Sequence, residues 1–248
     1  MHWGYWPAPR RALLSDADFA IAAERLTQEI CALADLADGH LVLDVGCGFG
    51  GTIAFLNERF DAMQLLGVNI DPRQLDRAKR LVLPLKHNTI AFQEGDACAL
   101  PFPDASFDRV LAVECIFHFP SRETFFQEAC RVLKPGGLLT LSDFLPSKAF
   151  APFCRPRKPG RHNAFGSIDV EYTLSRYRAL AKRTGLVSEA ERDIGRNTLP
   201  TYRYLQRMLR TAIVSKRDGF IVCRLLGLQW LLGATGLLNY TLLSFRKP

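Results

Sequence analysis

The chain has 248 residues, 48% of them hydrophobic, and a formal net charge of +7. That is enough apolar material for one substantial core, and no Ser/Gly-rich stretch divides it, so a single domain over 1–248 is expected. The excess of Lys and Arg gathers around neither an aromatic single-strand platform nor a DNA-reading helix, which argues against nucleic acid as a partner. Seven cysteines without CxxC spacing argue against a metal framework and for a reduced, cytoplasmic protein.

The first residues lack a basic stretch followed by an apolar one and do not read as a secretory signal. Instead, His2-Trp-Gly-Tyr-Trp6 gathers aromatic rings around a glycine. An amphipathic helix follows over 16–36, capped by Ser15 and Asp16, with Phe19, Ile21, Ala22, Leu26, Ile30 and Leu33 on its apolar stripe. It should lie against the sheet edge beside the loop that comes next.

That loop is the most informative stretch. An apolar strand over 41–45 runs straight into Gly46, Gly48, Gly50 and Gly51. Glycine tolerates positive φ and puts no Cβ in a ligand's way, and the helix expected over 52–59 points its positive dipole end at whatever binds. Gly46, Gly48 and Gly51 fit the GxGxxG spacing of dinucleotide enzymes. Asp44, Gly46, Gly48 and Gly50 equally fit the DxGxGxG spacing of S-adenosylmethionine (SAM) methyltransferases. The next strand, over 65–70, carries Asn69 where a dinucleotide site has an acid for its ribose, which weakens the first reading without excluding it.

Further on, a helix over 72–81, strands over 90–94 and 107–113, a helix over 123–133 and a strand over 138–142 keep the βαβ rhythm of a parallel sheet covered on both faces. A polar, proline-rich stretch over 146–166 interrupts it as a lid or mobile loop, and a helix over 173–184 and a strand over 186–194 restore it. Helices over 201–215 and 218–232 form an insertion, placed to roof a pocket, ahead of a last strand over 239–245. The fold class is therefore α/β: a Rossmann-like, doubly wound, mostly parallel sheet of seven strands with a helical lid insertion before the last. Residues 1–40 would cover the cofactor, 41–145 bind it, and 146–238 shape the acceptor pocket and lid.

Three motifs carry a resemblance. Val42-Leu-Asp-Val-Gly-Cys-Gly48, then Glu94-Gly-Asp-Ala97 leading to Leu100-Pro-Phe-Pro-Asp-Ala-Ser-Phe-Asp108, then Arg131-Val-Leu-Lys-Pro-Gly-Gly137 resemble, in order and spacing, the class I SAM-dependent methyltransferases. The branch is the one acting on small molecules: sugar and polyketide O-methyltransferases, with sterol and tocopherol C-methyltransferases as relatives. The resemblance implies SAM as cofactor. Gly46 and Gly48 would admit its methionine and ribose portions, and Asp44 would sit near its amino group. Asp96 would accept from the adenine amine while the Ala97 amide faces the ring; a turn residue after Gly95 is the alternative for Asp96.

Where the family usually grips both ribose hydroxyls with an acid, this chain has Asn69. Gln74 in Asp71-Pro-Arg-Gln-Leu75 matches a glutamine that takes the diol in relatives lacking the acid, and Asp71 reads as a cap for the helix that Pro72 begins. Tyr5 matches a tyrosine whose hydroxyl reaches the amino acid end, with a plain aromatic anchor as the alternative. Glu114 is placed with the cofactor residues, in a structural or backbone-contacting role.

On the acceptor side, His118 in Glu114-Cys-Ile-Phe-His-Phe119 lies just past the fourth strand, at the rim where open α/β sheets hold ligands. It matches the second of two adjacent histidines in the sugar O-methyltransferases, with Phe117 in place of the first, and would act as general base. Asp143 matches an acid that works with that histidine, orienting the imidazole or binding the acceptor hydroxyl. The alternative is a loop histidine and a turn aspartate, with catalysis by proximity alone. His2, His40, His87 and His162 lie in termini or loops and carry little signal.

Arg203, Arg207 and Arg210 oppose Leu205, Met208, Leu209, Ala212 and Ile213 on one helix. That pattern favours a pocket cover over a weak peripheral membrane contact. The leucine-rich run over 225–238 is too short and broken to span a membrane and would roof an apolar cavity. The basic stretch Arg155-Pro-Arg-Lys-Pro-Gly-Arg161 reads as a solvated loop more readily than as a site for an acidic acceptor. The resemblance thus implies O-methylation of a mainly apolar specialised metabolite. A C-methyltransferase of a prenyl, sterol or quinone-type acceptor, and a non-catalytic SAM-binding protein, stay open.

Overall fold

The structure, a computed structural model, describes residues 3–154, 169–211 and 216–248, and side chains outside 210–221. His2, His162, the 155–161 basic stretch, Ala212, Ile213 and the Arg210 side chain lie outside the described residues.

Strands β1 (Leu41–Val45), β2 (Gln64–Asn69), β3 (Thr89–Glu94), β4 (Phe107–Ala112), β5 (Leu133–Pro146), β6 (Val187–Asp193) and β7 (Leu238–Arg246) form one sheet in the order β3-β2-β1-β4-β5-β7-β6. All neighbours are parallel except β7, which runs antiparallel to both β5 and β6. The chain winds outward from β1 to β3, then returns to lay β4 on the other side of β1. The carboxyl ends of β1 and β4 therefore flank the topological switch point, where such sheets open a crevice.

Alternation along the strands explains the two-faced core. Leu43, Val110 and Leu243 join Phe125, Phe126, Tyr177 and Leu180 on one face, under helices α4 (Arg122–Val132) and α5 (Leu174–Arg183). Their sequence neighbours Val42, Leu111 and Leu242 point the other way, to Leu26, Ile30, Ile53 and Leu56 of α1 (Asp16–Leu33) and α2 (Gly51–Arg59). Helix α3 (Pro72–Leu81) packs on β2 and β3.

Several boundaries differ from expectation. Helix α1, started by Ser15 whose hydroxyl accepts from the Asp18 amide, lies over β5, β7 and α2 on a sheet face, not along the sheet edge. Its Ile21 points to solvent. Strand β5 begins at Leu133, ahead of the expected 138, its register against β4 shifts between Phe107 and Arg109, and Gly136 takes a positive φ of 79° there. The insertion is present between β6 and β7 as α6 (Gly195–Thr211) and α7 (Lys216–Ala234). Helix α6 starts at Gly195, ahead of the expected 201, and continues through Pro200. Among the described residues no helix is long and apolar enough to cross a membrane.

Candidate active site

The glycine turn after β1 decides between the two spacings. Gly46, Gly48 and Gly50 all take positive φ (71°, 54° and 78°), while Gly51 is an ordinary first residue of α2. The turn uses every second residue, as in DxGxGxG. Gly46 and Cys47 donate to the Val68 carbonyl at 2.7 and 3.0 Å, which pins the turn to β2. A Cβ on Gly46 would stand 2.6 Å from Cys115 Cβ, with Phe119 Cε1 at 3.9 Å, so this glycine backs directly onto the turn that follows β4. Among the described residues, the one atom within 4 Å of such a Cβ at Gly48 is Gln74 Oε1, at 3.5 Å.

The structure brings Gly48, Asn69 and Gln74 together. Asn69 closes β2, Gln74 sits in the first turn of α3, and the Asn69 Nδ2 donates to Gln74 Oε1 at 3.1 Å. Asp71 is held elsewhere: it caps α3 by accepting from the Arg73 amide and grips the Arg73 guanidinium, which holds its carboxyl below the ordinary range. Two amide side chains thus converge beside an open glycine, a donor and acceptor set suited to a pair of hydroxyls.

Asp44 is 2% exposed, with Gly67 and Leu111 as its neighbours across β2 and β4. Burial first, and the Asp44 charge second, push the Cys31 thiol up to about 12 and raise those of Cys47 and Cys115 as well. The carboxylate therefore sits in a lining that carries no ionised thiol, a setting that favours a cationic partner. Past β3, Asp96 is exposed and its Oδ1 accepts from the Cys98 amide at 2.8 Å, while Ala97 is buried. The turn role is real, and it occupies Oδ1.

On the other lip, the 3-10 turn Ile116–His118 follows β4 and leaves His118 exposed, its ring centroid 4.5 Å from that of Phe117. Glu114 has φ of 55°, strained for a residue with a Cβ. Its amide donates to Ser142 Oγ at 2.9 Å, and its Oε1 accepts from the Trp3 amide at 2.8 Å and the Tyr240 hydroxyl at 2.7 Å. Glu114 is thus the anchor of the N-terminal segment. The next residues are stitched down in turn: Gly4 to Thr201 Oγ1, Tyr5 to the Ala22 carbonyl, Trp6 to the Asn197 carbonyl. Trp3 packs edge-on against Tyr202 and Phe144, with centroids 4.6 and 5.4 Å away, and Tyr5 is half-buried in the same strap.

Asp143 does not occupy the place expected of it. The carboxyl has no exposure; Arg122 Nη2 lies 3.0 Å from Oδ2, the Tyr177 hydroxyl donates to the same oxygen, and Oδ1 accepts from the Phe144 amide. Burial pushes this carboxyl up, against the pull of Arg122 and Tyr177. It braces the interior, with both carboxylate oxygens held by Arg122, Tyr177 and the Phe144 amide and neither exposed to solvent. Arg122 also bonds Asp169, stacks over Tyr172 at 4.6 Å, and through Asp169, whose amide donates to the Phe117 carbonyl at 2.9 Å, reaches the His118 turn.

Sequence reasoning missed Arg122, Tyr177, Ser142, Tyr240 and Thr201. Arg122 opens α4, where the helix dipole disfavours a cation, but position alone does not tell that it is buried against an anion. The leucine run behaves differently from the expected roof. Leu226 and Leu238 are buried, but Leu225, Leu228 and Leu231 face solvent.

The family described as "Methyltransferase domain" matches residues 43–141. Methyltransferase GfsG of Streptomyces halstedii is 33% identical, covering 83% of this chain and 74% of that protein. The 27-O-demethylrifamycin SV methyltransferase of Amycolatopsis mediterranei is 34% identical, covering 82% and 72%. Geranyl diphosphate C-methyltransferase from Streptomyces coelicolor, solved with S-adenosyl-L-homocysteine, superposes with a TM-score of 0.79 at 17% identity, covering 100% of this chain and 93% of that one, a likeness of fold. Sequence kinship over most of the chain, the shared sheet and the DxGxGxG turn agree: the protein belongs to the class I SAM-dependent methyltransferases, in the branch acting on small molecules, and SAM is its cofactor.

Proposed function

We propose that the chain methylates a hydroxyl of a mainly apolar small molecule, with His118 as general base. The observation that carries this reading is the exposure of His118 on the turn after β4, a turn so close to Gly46 that a Cβ on that glycine would stand 2.6 Å from Cys115 Cβ. Bound SAM supplies an electrophilic methyl group. Gly46 and Gly48 admit its backbone-facing side, Gln74 and Asn69 hold the ribose diol, Asp44 answers the ammonium, Asp96 and Ala97 meet the adenine, and Tyr5 covers the amino acid end. His118 takes the hydroxyl proton at a ring nitrogen, a contribution of about 10² to 10⁴ in rate. The relative named for O-methylation of a rifamycin supports the same acceptor class.

The test is His118→Ala. Turnover should fall by at least about 10² while calorimetric binding of S-adenosylhomocysteine is kept. Near-normal turnover would remove the base and favour a second reading, C-methylation of a prenyl or quinone-type acceptor. That reading has its own support: Trp3, Phe117, Phe144, Tyr202 and Tyr240 cluster with Glu114 at this rim, a setting able to steady a developing cation.

A further inference from the structure

The two-helix insertion holds a charge that the rest of the chain does not. From Gly195 to Ala234 there are seven Lys or Arg and a single acid, Asp218, so +6 of the formal +7 resides in α6, α7 and their connection. The remainder of the molecule is close to neutral.

Helix α6 uses up its own apolar side. Leu205 and Met208 pack with Trp6, Phe19 and Tyr204 over the N-terminal strap and α1. Helix α7 then lies on α6: Gln206 Nε2 donates to the Cys223 carbonyl at 2.9 Å, the Arg203 guanidinium stands 5.2 Å above the Trp230 ring, and Gly233 lets Leu199 approach. These contacts take one side of α7 together with buried Leu226. At 100° per residue the opposite side carries Arg224, Leu225, Leu228 and Leu231, and the three leucines are 47%, 53% and 51% exposed. A leucine stripe on the outer layer of a basic hairpin has no role in the core.

We infer that the outer face of α7 docks on an anionic lipid bilayer, with Leu225, Leu228 and Leu231 entering the headgroup boundary and the hairpin's positive charge meeting the phosphates. Charge chooses the occupant. A second copy of this chain would bring one basic hairpin against another, and nucleic acid would satisfy the arginines but leave the leucines wet. A bilayer with anionic headgroups satisfies both, and a helix lying in the interface needs none of the length of a spanning one. The inference goes beyond the proposed reaction and touches it at one point: an apolar acceptor dissolved in lipid would be delivered beside the insertion that flanks the site.

The experiment is co-sedimentation of the whole protein with vesicles of pure phosphatidylcholine and with vesicles containing roughly one third phosphatidylglycerol. Binding is expected to the anionic vesicles only, and release at about 0.5 M salt. The triple substitution Leu225→Ser, Leu228→Ser, Leu231→Ser should weaken it at least about tenfold. A triple variant that still binds S-adenosylhomocysteine by calorimetry is folded, so its loss of vesicle binding is attributable to this face. Should it fail to fold, Arg224→Glu in the intact stripe is expected to weaken vesicle binding in the same way. Binding to neither vesicle, equal binding to both, or binding indifferent to these substitutions overturns the inference. Failure of the wild-type protein to bind S-adenosylhomocysteine would instead count against the cofactor site and leave the docking result standing.

Discussion

Arg122 and Asp143 meet at 3.0 Å in the interior, with side-chain exposures of 1% and 0%. The pair joins the start of α4 to the end of β5, and Tyr177 of α5 and Asp169 complete its hydrogen bonding. Removing one member leaves a charge buried without its partner, which costs about 3–5 kcal/mol. Arg122→Met is therefore expected to lower unfolding stability by that order in urea titration. Arg122→Met combined with Asp143→Leu should be less damaging than Arg122→Met alone. A double variant worse than the single one would mean the pair is not the source of the effect.

Gly46→Ala should harm binding and stability together. The new Cβ would meet Cys115 Cβ at 2.6 Å, backbone-anchored on both sides, and φ of 71° adds the left-handed penalty of about 1–2 kcal/mol. Gly48→Ala has room at 3.5 Å, carries the left-handed penalty alone at φ of 54°, and is expected to cost less stability than Gly46→Ala while weakening SAM binding. Thermal unfolding and calorimetry on the two variants separate a fault in the scaffold from one in the cradle.

Gln74→Ala takes away the amide beside Gly48 and should weaken S-adenosylhomocysteine binding about tenfold, the worth of one good hydrogen bond. Asn69→Asp restores a carboxylate at the end of β2, and a charged acceptor holds a hydroxyl more strongly than an amide does. Equal or tighter binding is expected for it. If both changes leave affinity untouched, the ribose lies elsewhere.

Acid should loosen the loop after Asp96. Glu128 accepts from the Leu100 amide at 2.7 Å and from Arg131, and the Arg131 side chain foremost holds its carboxyl below the ordinary range. With the folded value below the unfolded one of about 4.3, the group stabilises the fold above that pH, and the contribution is lost as pH falls through the folded value. Glu128→Gln should thus show a shallower fall in thermal midpoint between about pH 5 and pH 3 than the parent protein.

The alternation of strands and helices and the glycine turn were legible because each rests on local signals. The apolar runs alternate with helical periods, and Gly46, Gly48 and Gly50 announce positive φ by having no side chain. Asn69 and Gln74 each stood out singly in the sequence, and the structure pairs them five residues apart across one turn. What lay hidden were partners distant in sequence. Nothing near Asp143 in the chain says that Arg122 and Tyr177 will close over it, and so a residue at a strand's carboxyl end read as facing the acceptor. Glu114 and Trp3 are 111 residues apart. The leucines of α7 misled for a different reason: composition tells how much of a helix is apolar, but only the neighbour it packs on tells which side remains outside.

Strand β6 touches the sheet through β7 alone. As the nascent chain emerges, β6 is made before α6 and α7 and lacks its native neighbour until β7 follows them. Over that interval β5 presents an open border, which the last strand closes by inserting between β5 and β6. Completion of the domain is thereby tied to its final segment. A ribosome stalled ahead of Leu238 would hold a sheet that stops at β5, with β6 adrift.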